Sequence, residues 1–362
     1  MRIRKLLLSA ICMLGSLPLF AQQQQDLVWH SPSLVHGQLS SEGTAKFGRL
    51  PDALKDQVRS PVWHLGTNSA GLHIDFSTDA DSILVRYKVK GALNMPHMPT
   101  VGVSGVDLYM HDKGKANWSW TAGNYSFKDT ITYTFKEMGS SLDRVYQLYL
   151  PLYNTVEWLE IGIPANKQLK MEGNSQKPII VYGTSIAQGA CATRPGLAWT
   201  NMLSRAINQP VVNLAFSGNG RLEKPILDLM AKADPAAIVL DCLPNLSVTT
   251  ERTEAQLDSL IYTAFTMMRQ AHPNTPIILN EHSAGYNASV KLDKVNKRAE
   301  QATQVGRRTF TRLKKEGFKN IYLLTNKEVG LDLNSTVDYV HPNDIGMQKI
   351  ADAYTKLLKR IL

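Results

Sequence analysis

The spacing of hydrophobic and polar residues changes about halfway along the 362-residue chain. From about residue 26 to residue 170 the repeat is two, the period of a strand with one buried face. Leu72-His73-Ile74-Asp75-Phe76 alternates cleanly, and residues 82–89 are β-branched and aromatic. Residues 130–135, 146–150 and 156–163 repeat the theme, separated by clusters of Gly, Asn, Asp and Pro. Several short strands without helical periodicity predict an antiparallel, jelly-roll-like β-sandwich over residues 26–170.

From Pro178 onward, short apolar runs alternate with amphipathic stretches. Residues 179–182, 211–214, 237–240, 277–279 and 321–323 read as strands, and residues 198–207, 222–233, 253–270, 290–315 and 345 onward as helices. Parallel neighbours need crossovers, so this alternation predicts a parallel sheet covered on both faces, an α/β domain over residues 178–362. The polar stretch 171–177 is the expected linker.

The first residues follow neither pattern. Arg2, Arg4 and Lys5 precede an apolar run from Leu6 to Phe20, broken by Gly15 and Pro18, and then Ala21 and four glutamines. That order describes a secretory signal peptide over residues 1–21, so the mature protein is expected in the periplasm or outside the cell. No later stretch is long and apolar enough for a membrane span. The formal charge of +9 falls to +6 once these residues are removed, which weakens a nucleic-acid reading. The basic helix near residues 290–315 carries Asp293 and Glu300 among its lysines and arginines, the composition of a solvated face. Three cysteines are too few for a disulfide scaffold or a four-cysteine zinc site. Neither a Gly-x-Gly-x-x-Gly loop, a P-loop nor a metal-type ligand spacing is present, so no metal or organic cofactor is expected.

In open parallel sheets, chemistry collects at the carboxyl ends of the strands. Those positions hold Gly183-Thr184-Ser185-Ile186, then Phe216-Ser217-Gly218-Asn219-Gly220, then Asp241-Cys242-Leu243-Pro244-Asn245, then Asn280-Glu281-His282, and last a loop with Asp338-Tyr339-Val340-His341. Four of these blocks, in this order, resemble the SGNH (GDSL-type) hydrolases. Gly105-Val106-Asp107-Leu108-Tyr109 resembles the GxDLY motif of a β-domain that precedes such hydrolases in exported bacterial proteins. The resemblance implies a three-layer α/β/α, flavodoxin-like hydrolase domain. It also implies a nucleophile at Ser185, oxyanion donors at Ser185, Gly218 and Asn245, and a base and its orienter at His341 and Asp338. Thr184 stands where the name-giving motif has Asp, a carboxylate the nucleophile does not need. Ala187 rules out the Gly-x-Ser-x-Gly elbow of α/β-hydrolases.

The residue types suit acyl transfer. A serine hydroxyl must lose its proton as it attacks, an imidazole can take that proton, and a carboxylate fixes the imidazole tautomer. The expected function is an exported serine esterase acting on small acyl esters. O-acetyl groups on carbohydrate are suggested by the resemblance and the accessory sandwich. The rivals are a lipase or thioesterase for longer chains and a glycan-binding protein with an inert hydrolase domain. Arg194, Glu281 and His282 are candidate substrate contacts. Cys191 and Cys242, on loops at one sheet edge of an exported protein, are expected to form a disulfide.

Overall fold

The computed structural model describes residues 26–115, 117–281 and 293–362. The expected signal peptide and His282 lie outside them. Ten strands form two five-stranded antiparallel sheets: β1 (Leu27–His30), β2 (His73–Thr78), β3 (Ile83–Val89), β4 (Asp107–Asp112), β5 (Ser119–Thr121), β6 (Asn124–Ser126), β7 (Ile131–Phe135), β8 (Ser141–Tyr149), β9 (Val156–Pro164) and β10 (Leu169–Met171). One sheet runs β1-β9-β3-β7-β6 and the other β10-β2-β8-β4-β5. Their facing side chains, among them Ile74, Phe76, Val85, Tyr87, Leu108, Tyr133, Tyr146, Leu148 and Ile161, make one buried core. This is the sandwich that period-two patterning predicts. Two short helices interrupt it, α1 (Ser60–Gly66) and α2 (Thr100–Ser104).

The second half contains β11 (Ile179–Gly183), β12 (Val211–Ala215), β13 (Ala237–Asp241), β14 (Ile277–Asn280) and β15 (Ile321–Leu324). Its helices are α3 (Ser185–Gln188), α4 (Trp199–Ile207), α5 (Lys224–Ala231), α6 (Glu254–Ala271), α7 (Asp293–Lys315), α8 (Asn326–Val329) and α9 (Asp344–Ile361). All strands are parallel, in the order β12-β11-β13-β14-β15. This is the doubly wound 2-1-3-4-5 arrangement, in which the strand order reverses beside the first strand.

Alternation along each strand supplies a core on both faces. Ile179, Val181, Ala215, Val239 and Ile278 face α4 and α9, where Trp199 and Tyr354 stack with ring centroids 4.5 Å apart. Ile180, Tyr182, Leu214, Ile238 and Leu279 face α5, α6 and α7. The first of these cores does not stop at the hydrolase domain. Ala70, Met98, Val103, Leu152 and Tyr153 of the N-terminal half are buried in it, so the two halves share apolar packing.

Polar contacts fix the junction more sharply. Asp107, first of the conspicuous Asp-Leu-Tyr triplet on β4, is 4% exposed. Its Oδ2 accepts hydrogen bonds from Arg194 Nη1 (2.6 Å) and the Gly196 N–H (2.9 Å), and its Oδ1 from Trp120 Nε1 (2.7 Å). The Tyr109 hydroxyl takes a second bond from Arg194 Nη1, and the Arg205 guanidinium lies 3.8 Å from the Tyr109 ring centroid. A Cβ on Gly196 would come within 2.2 Å of that ring. The triplet therefore locks the loop after α3 against the sandwich.

Breaking a buried ion pair from one side leaves an uncompensated charge and costs about 3–5 kcal/mol. Asp107→Ala should accordingly lower the thermal midpoint strongly. A variant melting like wild type would show that the junction depends on apolar packing alone.

Candidate active site

β11 ends at Gly183 and the chain turns at once into the four-residue helix α3. Thr184 is the N-cap but makes no capping bond with its side chain, and Ser185 is the first helical residue. Ser185 is 7% exposed and its Oγ lies 2.9 Å from His341 Nε2. His341 Nδ1 is 2.7 Å from Asp338 Oδ2. Asp338 Oδ1 accepts from the N–H groups of Val340 (3.1 Å) and His341 (2.8 Å), which turns the chain back so that the three-residue spacing can close. Partial burial pushes the Asp338 carboxyl up, but the His341 N–H, the His341 ring and the Val340 N–H outweigh it and hold the group below its ordinary value.

Gly218 and Asn245 follow β12 and β13, the strands flanking β11, so both stand at the point where strand order reverses. Gly218 has φ of +68°, a left-handed conformation that glycine adopts without a Cβ penalty. A Cβ there would meet nothing within 4 Å, so the restriction is conformational rather than spatial. Asn245 Oδ1 accepts from the Gly220 N–H (3.1 Å), which fixes which end of the amide faces away. Among the described residues, the Ser185 N–H, the Gly218 N–H and the Asn245 Nδ2 have no hydrogen-bond partner.

The loop carrying Gly218 is held by residues that sequence reasoning does not single out. Fully buried Gln188 accepts the Ser217 N–H through Oε1 (2.9 Å), while its Nε2 reaches Asn68 Oδ1 and the Leu152 carbonyl in the N-terminal half (both 3.3 Å). Arg59 donates to Asn219 Oδ1 (2.7 Å) and pairs with Glu223. Arg49, 1% exposed, donates Nη1 to the Asn213 (3.0 Å) and Ala215 (2.8 Å) carbonyls. Burial lowers its pKa to about 9. The Tyr153 hydroxyl donates to the Ser185 carbonyl (3.2 Å).

Three sequence expectations require correction. Arg194 is engaged in the Asp107–Tyr109 lock, because a buried carboxylate needs a cation. Glu281, 1% exposed, accepts from Arg307 Nε (2.5 Å) and Nη2 (3.0 Å) and from the Asn326 N–H (2.9 Å), so it braces β14 against α7 and α8. Cys191 and Cys242 are both free and buried. They lie in the cores on opposite faces of the parallel sheet, and Cys242 Sγ is turned towards the Tyr182 carbonyl (3.4 Å).

A fold of this order with its polar convergence at the strand-reversal point is that of the SGNH-type hydrolases. The profile of the GDSL-like lipase/acylhydrolase family matches residues 176–359, and that of the N-terminal region of SGNH-hydrolase-type esterases matches residues 27–169. A solved structure described as a GDSL-like lipase from Bacteroides ovatus is 30% identical, with a TM-score of 0.83 over 93% of this chain and 98% of its own. The chain therefore belongs to the GDSL-like lipase/acylhydrolase family, and it is a hydrolase of the esterase type. The same fold recurs in the salicylyl-acyltransferase SsfX3 of a tetracycline biosynthetic pathway (19% identity, TM-score 0.68, 92% and 94% covered). It recurs again in a family two carbohydrate esterase from Clostridium thermocellum in complex with cellohexaose (13%, 0.50, 80% and 91%). No curated protein matches this sequence. No helix among the described residues is long and apolar enough to cross a membrane.

Two outcomes follow from the buried groups at this sheet edge. Protein lacking residues 1–21, denatured without reductant, should titrate two thiols; none would restore the bridge. Asp241 is fully buried at the end of β13, and burial raises its carboxyl to about 6 although the Asn280 amide opposes the rise. A raised carboxyl contributes stability that is complete below the unfolded value of about 4 and is lost as pH rises through about 6. The melting-point difference between wild type and Asp241→Asn should therefore move in favour of wild type as pH falls from about 8 to about 5. A difference that does not change with pH would show that Asp241 has no such shift.

Proposed function

We propose that the protein is an exported serine esterase that removes short acyl groups, principally O-acetyl, from carbohydrate. The observation that carries the chemistry is the continuous chain Ser185 Oγ–His341 Nε2 (2.9 Å) and His341 Nδ1–Asp338 Oδ2 (2.7 Å) beneath three unpaired donors. His341 accepts the Ser185 hydroxyl proton as Oγ attacks the ester carbonyl, and Asp338 stabilises the imidazolium that forms. The charge on the former carbonyl oxygen meets the N–H groups of Ser185 and Gly218 and the Asn245 amide. His341 then gives the proton to the departing alcohol. Water, deprotonated by the same imidazole, releases the acid and restores Ser185.

The carbohydrate part of the reading is supported by the fold shared with the Clostridium thermocellum carbohydrate esterase and by the sandwich packed beside the site. Export is supported by the basic and apolar pattern of residues 1–21. A second reading, lipase action on longer chains, draws on the 30% identity to the Bacteroides ovatus protein.

With p-nitrophenyl acetate, Ser185→Ala should lose about 10⁴-fold or more in kcat, and Asn245→Ala about 10²–10³-fold with KM little changed. Equal rates for wild type and Ser185→Ala would remove the serine mechanism. Faster turnover of octanoate than acetate esters would favour the lipase reading. Acetate released from acetylated oligosaccharides, but not from the Ser185→Ala protein, tests the substrate class directly.

A further inference from the structure

Beside the Ser185–His341 pair, donor atoms from three separate segments converge in a way that ester hydrolysis does not use. His97 lies on the turn between β3 and α2, where Met95 and Met98 exchange backbone hydrogen bonds (3.4 and 3.1 Å) and buried Met98 anchors the turn. The His97 ring is exposed, has no hydrogen-bond partner among the described residues, and lies 5.7 Å from the His341 ring between centroids. Cys191 is buried behind them, its thiol likewise without a hydrogen bond among the described residues. One ligand atom from each of His97, Cys191 and His341 lies within 4.8 Å of the other two.

We propose that His97, Cys191 and His341 form an inhibitory site for a divalent cation of zinc type. The inference rests on His341 as the base of the proposed esterase. Two imidazole nitrogens and a thiolate are the donors such an ion prefers. Metal–nitrogen bonds of about 2.0–2.1 Å and a metal–sulfur bond of about 2.3 Å in tetrahedral geometry set the donors roughly 3.3–3.7 Å apart. The triangle must therefore contract by up to about 1.5 Å. Rotation of the exposed, unpaired His97 ring shortens its two sides of the triangle, and rotation of the Cys191 side chain shortens the third. Binding displaces the thiol proton to solvent, since the ligand is the thiolate. A fourth position remains for water.

Inhibition follows from how His341 is already engaged. One ring nitrogen faces Ser185 Oγ and the other faces Asp338. Whichever nitrogen takes the metal, the proton relay loses a link. The N-terminal sandwich thus supplies, through His97, a residue by which metal gates the neighbouring site. The three residues are far apart in sequence, so no ligand spacing announces them.

The test uses the chelator-treated protein without residues 1–21, p-nitrophenyl acetate, and Zn²⁺ or Co²⁺ as probe. The quantity read is the ratio of turnover with and without zinc, so a change in basal rate cancels. Micromolar Zn²⁺ should lower wild-type turnover by about tenfold or more, reversibly with EDTA, and His97→Ala should raise the half-inhibiting concentration by at least about tenfold. Co²⁺ should give wild type a thiolate-to-metal absorption band that Cys191→Ser lacks and His97→Ala weakens; circular dichroism confirms that both variants are folded. Turnover insensitive to zinc with no cobalt band overturns the site and leaves the esterase intact. Zinc inhibition unchanged in His97→Ala overturns it equally. A cobalt band dependent on His97 and Cys191 in a protein without turnover sustains the metal site and sinks the esterase.

Discussion

The proposed chemistry depends on a short hydrogen-bonded seam between the loop after α3 and the entry to α9. The Cys191 N–H donates to the Pro342 carbonyl (3.0 Å). Thr193 donates its N–H and its hydroxyl to the two carboxylate oxygens of Asp344 (2.9 and 2.6 Å). These bonds bracket Ser185 on one strand end and His341 on a loop more than 150 residues later. Holding two such distant segments together costs loop-closure entropy, which grows only slowly with the length between them. A few well-formed bonds therefore suffice, provided the segments they join are themselves rigid. Both are: α3 is fully buried, and the Asp338 turn is tied by its own carboxylate.

The second half of the site is set from across the domain junction. The Gly218 loop touches Arg59 directly, Arg49 through the end of β12, and Asn68 and Leu152 through Gln188. Tyr153 reaches the Ser185 carbonyl. Arg49 is notable because its partners are carbonyl oxygens, not carboxylates. Five donors in a fixed planar fork can satisfy several backbone acceptors at once, something a lysine could not do. The sandwich is thus part of the scaffold of the site rather than an appended module. The Asp107–Arg194–Tyr109 lock explains how it stays in register with the strand ends.

What the sequence made legible was whatever one buried face imposes. Sandwich strands β2, β3, β7, β8 and β9 and all five parallel strands follow from apolar periodicity, and the blocks around Ser185, Gly218, Asn245 and His341 follow from strand-end placement. Periodicity misses β1 and β4, and β4 is legible only as the Gly105–Tyr109 motif. The three-residue strands β5, β6 and β10 are too short for any period. Thr100-Val101-Gly102-Val103-Ser104 is a helix despite β-branched residues and a glycine, because a Cβ on Gly102 would meet the Ala192 carbonyl at 2.5 Å and tertiary packing decides the conformation. Arg194, near Ser185 in sequence, and Glu281, just past a strand end, gave the same signal as site residues, and only burial and pairing separate a structural ion pair from a substrate contact. The two cysteines misled for a different reason: sharing a sheet edge says nothing about which face each side chain occupies. Gln188 was within reach, since a polar residue inside the apolar stretch after Ser185 must find partners when buried.

The same contrast separates the framework from the reacting centre. Around the site, the loop after β12 is bonded on several sides, since Ser217, Asn219 and Gly220 all have partners. At the centre, the Ser185 and Gly218 N–H groups and the Asn245 amide are left open, and Gly218 is held in a left-handed conformation. Open donors on partly buried residues cost stability, and the bonds that hold the loop after β12 keep them from turning to other acceptors. In the proposed mechanism no donor has to reorganise when negative charge develops on an ester oxygen, which is where preorganised dipoles contribute most to rate. On this view the sandwich, the arginines and Gln188 stabilise a site that keeps three donors open.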